Sequence, residues 1–294
     1  MYDLLPQKYF PKTIYVNPKQ LFQEVLDEMQ ALSFSYPVIV KPDVGMEGIL
    51  FRKINDEDQL EMYHSKMPVD YLLQEFIDQP MEIGLFYFRH PQNDHGKISA
   101  LFEKKFPSVT GDGFSTVQQL LQKENIEMNE NGKELNVPDY QSIPEKNEEI
   151  KLSFVGNRYH GATFHDLSDS IDKELLQIFD EISHTTSFYY GRYDIKCSSI
   201  EELKKRNNFS ILEFNGAGSI PNHVYTGKFS MWQAYKEIAY HWKMLFEISS
   251  YNHRTGLSYW SLLTGARYLR KAKKHFRFLR KCDSRIILKN DKPD

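Results

Sequence analysis

Two short alternating segments constrain this chain more than any other feature: Gly191-Arg192-Tyr193-Asp194-Ile195-Lys196 and Phe209-Ser210-Ile211-Leu212-Glu213-Phe214-Asn215. Residues two apart on a strand share a face, so pairing of the two segments brings Asp194, Glu213 and Asn215 to one spot. Two carboxylates and an amide oxygen make a hard-cation site. They suit Mg²⁺, which takes few protein ligands and completes its octahedron with water and phosphate oxygens. The same alternation also marks any half-buried strand, and at this point both readings stand.

Upstream, Tyr36-Pro37-Val38-Ile39-Val40-Lys41-Pro42 is a β-branched run that ends in a lysine. A buried strand closing on a cation calls for an anionic partner, and a nucleotide phosphate would serve. Gly45 and Gly48 follow within Asp43-Val44-Gly45-Met46-Glu47-Gly48-Ile49. They allow a turn that turns backbone N–H groups toward phosphate, although Gly-x-x-Gly also occurs in ordinary turns. Tyr71-Leu72-Leu73-Gln74-Glu75-Phe76-Ile77-Asp78 reads as a further strand with a polar end, and Glu82 comes after the Gln79-Pro80 break.

Taken in order, the strand ending at Lys41, the glycine loop, Gln74-Glu75-Phe76-Ile77, Glu82, Arg192-x-Asp194 and Glu213-x-Asn215 resemble the ATP-grasp superfamily. Within it they resemble the D-alanine–D-alanine ligase-like and cyanophycin-synthetase-like carboxylate–amine ligases. Gly111-Asp112-Gly113-Phe114-Ser115-Thr116 is similar to the Gly-Asp-Gly-x-Ser/Thr-Thr segment of the second branch. The likeness covers roughly residues 36 to 250.

The resemblance implies an α+β ATP-grasp fold: a small lobe over about 36–78, a large lobe over about 79–250, and nucleotide between them. It implies ATP and Mg²⁺ as cofactors and an ADP-forming C–N ligase that works through an acyl-phosphate on a small-molecule carboxylate and amine. Lys41 would contact the α- and β-phosphates, with the Gly45–Gly48 loop closing over them. Glu75 and the backbone of Phe76 and Ile77 would hold adenine, and Glu82 the ribose. Lys104 or Lys105 would reach the nucleotide from the other lobe. Arg192 would stabilise the transferring phosphoryl group, with Asp194, Glu213 and Asn215 holding metal. Met46 and Glu47 depart from the family pattern, in which this loop is made of small residues. A protein that binds nucleotide without ligase chemistry, or a small-molecule kinase, would use the same ATP site.

Other segments carry open alternatives. Asn157, Arg158 and His160 either face the acyl-phosphate or substrate, or belong to a structured turn. Gly216 opens a glycine loop placed to meet substrate, and His223 within it is either a base toward an amine or a structural histidine. The polar stretch 125–149 reads as a surface insertion. Residues 18–32, 171–182 and 229–248 have helical spacing, and the aromatic stripe Trp232, Tyr235, Trp242 and Phe246 is expected in the core.

At the ends, residues 1–35 read as a linker followed by a helix, and the Rossmann-like lobe of the resembled ligases is expected to be absent or vestigial, or to lie in a longer reading frame. Residues 251–294 form a basic tail in which Arg267, Arg270, Lys271, Lys273, Lys274, Arg277, Arg280, Lys281, Arg285 and Lys289 face only Asp283. Such a helix either docks on the domain or meets an anionic membrane or acidic partner. A net charge of −3 offers no argument for nucleic acid. Cys197 and Cys282 have neither metal-ligand spacing nor a disulfide framework, and no signal segment or long apolar span is present, so the cytoplasm is the expected location. Oligomeric state is not legible.

Overall fold

The computed structural model describes residues 6–124, 139–152, 156, 161–186, 188–283 and 286. The chain divides into two compact units. One comprises Lys12–Phe76, Phe106–Thr163 and Ala266–Asp294 and is called here the Lys41 unit. The other comprises Met1–Pro11, Ile77–Lys105 and Phe164–Gly265 and is called the Arg192 unit. Helices and antiparallel sheets occur in both, which is the α+β class expected from the motifs.

The Lys41 unit begins with β1 (Thr13–Val16), α1 (Phe22–Ala31), β2 (Val38–Pro42), β3 (Arg52–Ile54), α2 (Glu57–Lys66) and β4 (Tyr71–Glu75). The strands form an antiparallel sheet in the order β1-β4-β2-β3. Within the segment expected as a linker, Thr13–Val16 supplies an edge strand, because Ile14 and Val16 alternate with exposed Tyr15 and bury against Val25, Val38 and Leu73. Asp56 caps α2 by accepting the Gln59 amide at 2.8 Å, with Glu57 and Asp58 in the first turn opposing the helix dipole.

Next come β5 (Met81–Phe88) and β6 (Lys97–Lys105), then a small satellite of β7 (Ser108–Thr110), α3 (Val117–Lys123) and β8 (Glu149–Lys151) around Val109, Val117, Leu120, Leu121 and Leu152. Residues 139–149 of the expected surface insertion fold onto this satellite. The Gln118 amide bonds the Tyr140 carbonyl, and an added Cβ on Gly111 would lie 2.1 Å from the Glu145 carbonyl oxygen. The Gly-Asp-Gly segment has a local structural role here: Asp112 accepts the Phe114 and Ser115 amides, and Thr116 and Gln119 form a capping box on α3.

In the Arg192 unit, β9 (Thr163–Asp166), α4 (Lys173–Thr186), β10 (Tyr190–Cys197), α5 (Ile200–Lys204), β11 (Phe209–Asn215) and α6 (Met231–Arg254) follow. A five-stranded sheet runs β11-β10-β5-β6-β9. One face buries Ile83, Leu85, Tyr87, Tyr193 and Ile195 against Leu175, Ile178 and Phe179 of α4. The other carries Phe86, Phe88, Phe102 and Tyr190, packed with Ile248 of α6. Gly84 sits on this second face, where an added Cβ would lie 2.3 Å from the Phe102 ring. Gly84→Ala is therefore expected to cost about 1–3 kcal/mol through overpacking. An unchanged urea midpoint would show that the ring moves aside freely.

The aromatic stripe expected in the core lies outside it. Trp232, Tyr235, Trp242 and Phe246 are each 60% exposed or more, while the parallel stripe of Tyr240, His241, Met244, Leu245 and Ile248 packs on the sheet. Both stripes have helical spacing, so periodicity alone does not choose between them.

The last helix, α7 (Leu262–Asp283), docks through its C-terminal half: Leu279 is buried, and Phe276 and Cys282 pack on the core of the Lys41 unit. Asp283 accepts the Leu50 amide at 2.9 Å and pairs with Arg52 at 3.1 Å. No described helix is long and apolar enough to cross a membrane.

Candidate functional site

The alternating segments do pair. In the β10–β11 register Arg192 lies opposite Asn215 and Asp194 opposite Glu213, with an irregularity between Asp194 and Ile195 that shifts the register. That offset keeps Ile211 and Phe214 in the core while Glu213 and Asn215 remain on the face of Arg192 and Asp194. On the other side of β10, Asp194 lies opposite Gly84 and Lys196 opposite Glu82 of β5.

The side chains form a buried polar network. Arg192 donates to Asp194 in bidentate fashion, Nε to Oδ1 at 2.8 Å and Nη2 to Oδ2 at 3.0 Å. Lys104 Nζ lies 3.1 Å from both Asp194 Oδ1 and Glu82 Oε1, and Asn215 Nδ2 donates to Asp194 Oδ2 at 3.1 Å. Burial alone would raise the Asp194 pKa, but Arg192 and then Lys104 outweigh it and hold the carboxyl down to about 2. Burial likewise pulls Lys104 down, and Asp194 and Glu82 more than compensate, so that its pKa lies above the ordinary lysine value. Of the neighbouring pair, Lys104 is the one inside the network. Lys105 is exposed and sits 3.8 Å from Glu103.

Two of the three expected metal ligands keep donor atoms for a cation, and the third does not. Glu213 is exposed beside the network, and Asn215, whose amide nitrogen is committed to Asp194, keeps its amide oxygen. Both oxygens of Asp194 are already engaged by side-chain donors. An oxygen donor pair of one carboxylate and one amide fits Mg²⁺, which tolerates few protein ligands. Asp194 instead fixes the Arg192 guanidinium through its Nε and Nη2. Glu82, expected on a ribose, is buried on Lys104.

The second set of candidates, Ile77 apart, lies in the Lys41 unit. Lys41 is half-buried on β2 opposite Leu72, and Glu75 ends β4 opposite Val38. The Lys53 ammonium stands 4.3 Å over the Phe76 ring, and Ile77 is half-buried at the start of the next segment. Gly48 adopts φ 76°, the left-handed region open to glycine, and Gly45 is exposed. The departure at Glu47 has a partner: Arg280 of α7 pairs with it at 2.9 Å, and His275 bonds the Val44 carbonyl at 2.8 Å. The basic tail thus holds the glycine loop through contacts that no local pattern signals.

Of the substrate candidates, Asn157, Arg158 and His160 lie outside the described residues. Gly216 is half-exposed, and its carbonyl accepts the Ser219 amide at 2.9 Å and the Ser219 hydroxyl at 2.8 Å. His223 faces inward, contrary to a role toward substrate. It is 3% exposed, and its Nε2 lies 3.1 Å from Glu237. Burial pushes its pKa down against the pull of Glu237.

No family model matches the chain. In sequence it is 24% identical over 215 residues to the cyanophycin synthetase of Synechocystis sp., an alignment covering 64% of this chain and 24% of that protein. The chain therefore spans about a quarter of the length of this curated relative. Among solved structures it is similar to the D-alanine–D-alanine ligase of Bacillus anthracis, at 14% identity and a TM-score of 0.43, over 84% of this chain and 62% of that one. A bifunctional glutathione synthetase from Pasteurella multocida is similar at 16% identity and a TM-score of 0.42, over 82% of this chain and 34% of that one. The cyanophycin synthetase gives its name to one of the two branches that the order of motifs resembles.

Proposed function

We propose that this chain is an ATP-grasp carboxylate–amine ligase that uses ATP and Mg²⁺ and passes through an acyl-phosphate on an amino acid or peptide-like substrate. The observation that carries the reading is the buried network of Glu82, Lys104, Arg192, Asp194 and Asn215, in which one carboxylate holds two cations beside an exposed acid and an amide. The motif order and the distant likeness to cyanophycin synthetase support it.

Attack of a carboxylate on a γ-phosphate brings anions together, so catalysis rests on positioning and on cations aimed at charge that grows in the transition state. Arg192 suits that role because Asp194 fixes its plane before any ligand arrives, and no reorientation is needed during reaction. Lys104 neutralises phosphate oxygens. Glu213 and Asn215 hold Mg²⁺, which shields the triphosphate. Lys41 and the Gly45–Gly48 loop bind the α- and β-phosphates, and Glu75, Phe76 and Ile77 bind adenine.

The full chain, given ATP, Mg²⁺ and pairs drawn from amino acids and dipeptides, is expected to release ADP only when both a carboxylate and an amine are present. Hydroxylamine should divert the product to a hydroxamate. A stable phosphorylated product that forms without amine would make the protein a kinase. Nucleotide binding with no turnover across the panel would make it a binding protein.

A further inference from the structure

Away from the network just described, a second cluster gathers in the Arg192 unit. His223 lies in a 3₁₀ turn, Asn222–Tyr225, that follows the glycine loop after β11. Glu237 and His241 are four apart on α6 and share one face. His223 Nε2 is 3.1 Å and His241 Nε2 is 3.3 Å from the same oxygen, Glu237 Oε1, and one donor atom from each residue lies within 4.8 Å of the others. His241 is fully buried, and its Nε2, although close to Glu237, is out of alignment and has no hydrogen-bond partner.

Two buried imidazoles aimed at one carboxylate oxygen are poorly served by hydrogen bonding alone. Both rings converge on one carboxylate oxygen, and the buried Nε2 of His241 stays unsatisfied, which is costly. A cation removes the conflict. Tetrahedral zinc sites use His nitrogen and Glu oxygen at about 2.0–2.2 Å, and donors around one such ion stand roughly 3.3 Å apart, close to the 3.1 and 3.3 Å from the two imidazoles to Glu237 Oε1. The Tyr190 hydroxyl lies 3.4 Å from His241 Nδ1, the position of the outer partner that orients a ligating histidine.

We propose that His223, Glu237 and His241 bind a divalent transition cation of the zinc class, separate from the Mg²⁺ assigned to Glu213 and Asn215. The donor set selects against Mg²⁺, because two imidazoles suit zinc-like ions and magnesium demands oxygen. By joining the turn at 222–225 to α6, the ion clasps the end of the loop that starts at Gly216. The fourth tetrahedral position is left for water or a ligand.

The test is equilibrium dialysis of the full chain against Zn²⁺ in millimolar Mg²⁺, with bound metal read by mass spectrometry. One equivalent per chain is expected, with a Tm rise of about 5 °C at a hundredfold excess over Kd. Cobalt in place of zinc should give the visible absorption of a tetrahedral ion. Glu237→Gln, which alters a partly exposed side chain, should lower the affinity at least about tenfold. Wild-type protein that takes up no zinc, or Glu237→Gln that binds it as tightly, would overturn the proposal. The readout needs neither ATP nor turnover, so a failed ligase assay leaves this outcome unaffected.

Discussion

Arg192→Ala is expected to bind ATP nearly as tightly as the wild type while releasing ADP about 10²–10³-fold more slowly. The asymmetry follows from when the guanidinium matters. In the proposed reaction the guanidinium would meet charge that develops as the γ-phosphoryl group moves, and loss of an interaction made mainly in the transition state lowers the turnover rate rather than ground-state affinity. With the nucleotide held by Lys41 and the Gly45–Gly48 loop, as proposed, the variant would retain it. The fold should also survive, since Lys104 and Asn215 still hold the Asp194 carboxylate. Arg192→Lys should recover little, because an ammonium lacks the fork that Asp194 grips at 2.8 and 3.0 Å. Calorimetric ATP titration beside a coupled ADP assay separates the two quantities. An unchanged rate would refute the role given to Arg192.

The second large effect concerns stability. Asp194→Asn should destabilise the protein by about 3–5 kcal/mol, since it leaves Lys104 buried on Glu82 alone and Arg192 buried without its bidentate partner, near only Glu213 and Glu82. Amide replacement preserves shape, so the loss reports charge rather than packing. The pH dependence carries a signature of its own. The folded Asp194 pKa, held to about 2, lies below the unfolded value of about 3.9. Its contribution is therefore fully present above that unfolded value and disappears as the pH falls toward the folded one. Urea unfolding between roughly pH 5 and 2.5 should show a slope in the wild type that is weaker in Asp194→Asn. Equal slopes would show that the network does not hold this carboxylate ionised.

Much of the architecture was legible from local pattern. Alternation over 191–196 and 209–215 announces two strands, β-branched residues before Lys41 announce a third, and the spacing of Leu175, Ile178, Phe179 and Ile182 announces the helix behind them. Lys104, Arg192, Asp194 and Asn215 are legible as candidates too. Their partnership is not: nothing local signals that Asp194 pairs with Arg192, Lys104 and Asn215 together. The stripe on α6 was misassigned for a related reason. Trp232 and Trp242 and their inward counterparts, half-buried Tyr240 and buried His241, differ only in which side meets the sheet.

The order of residues along the chain by itself determined where strands and helices run and which types of donor they carry, because a backbone period repeats every two or 3.6 residues and is visible over a short window. Only the tertiary structure decided which donors meet. Lys104 and Asp194 are ninety residues apart, Glu47 and Arg280 are 233 apart, and His223 finds Glu237 and His241 across a turn. Such meetings depend on register, bulge and helix rotation, which arise from the packing of whole faces against one another and leave no trace in any local segment.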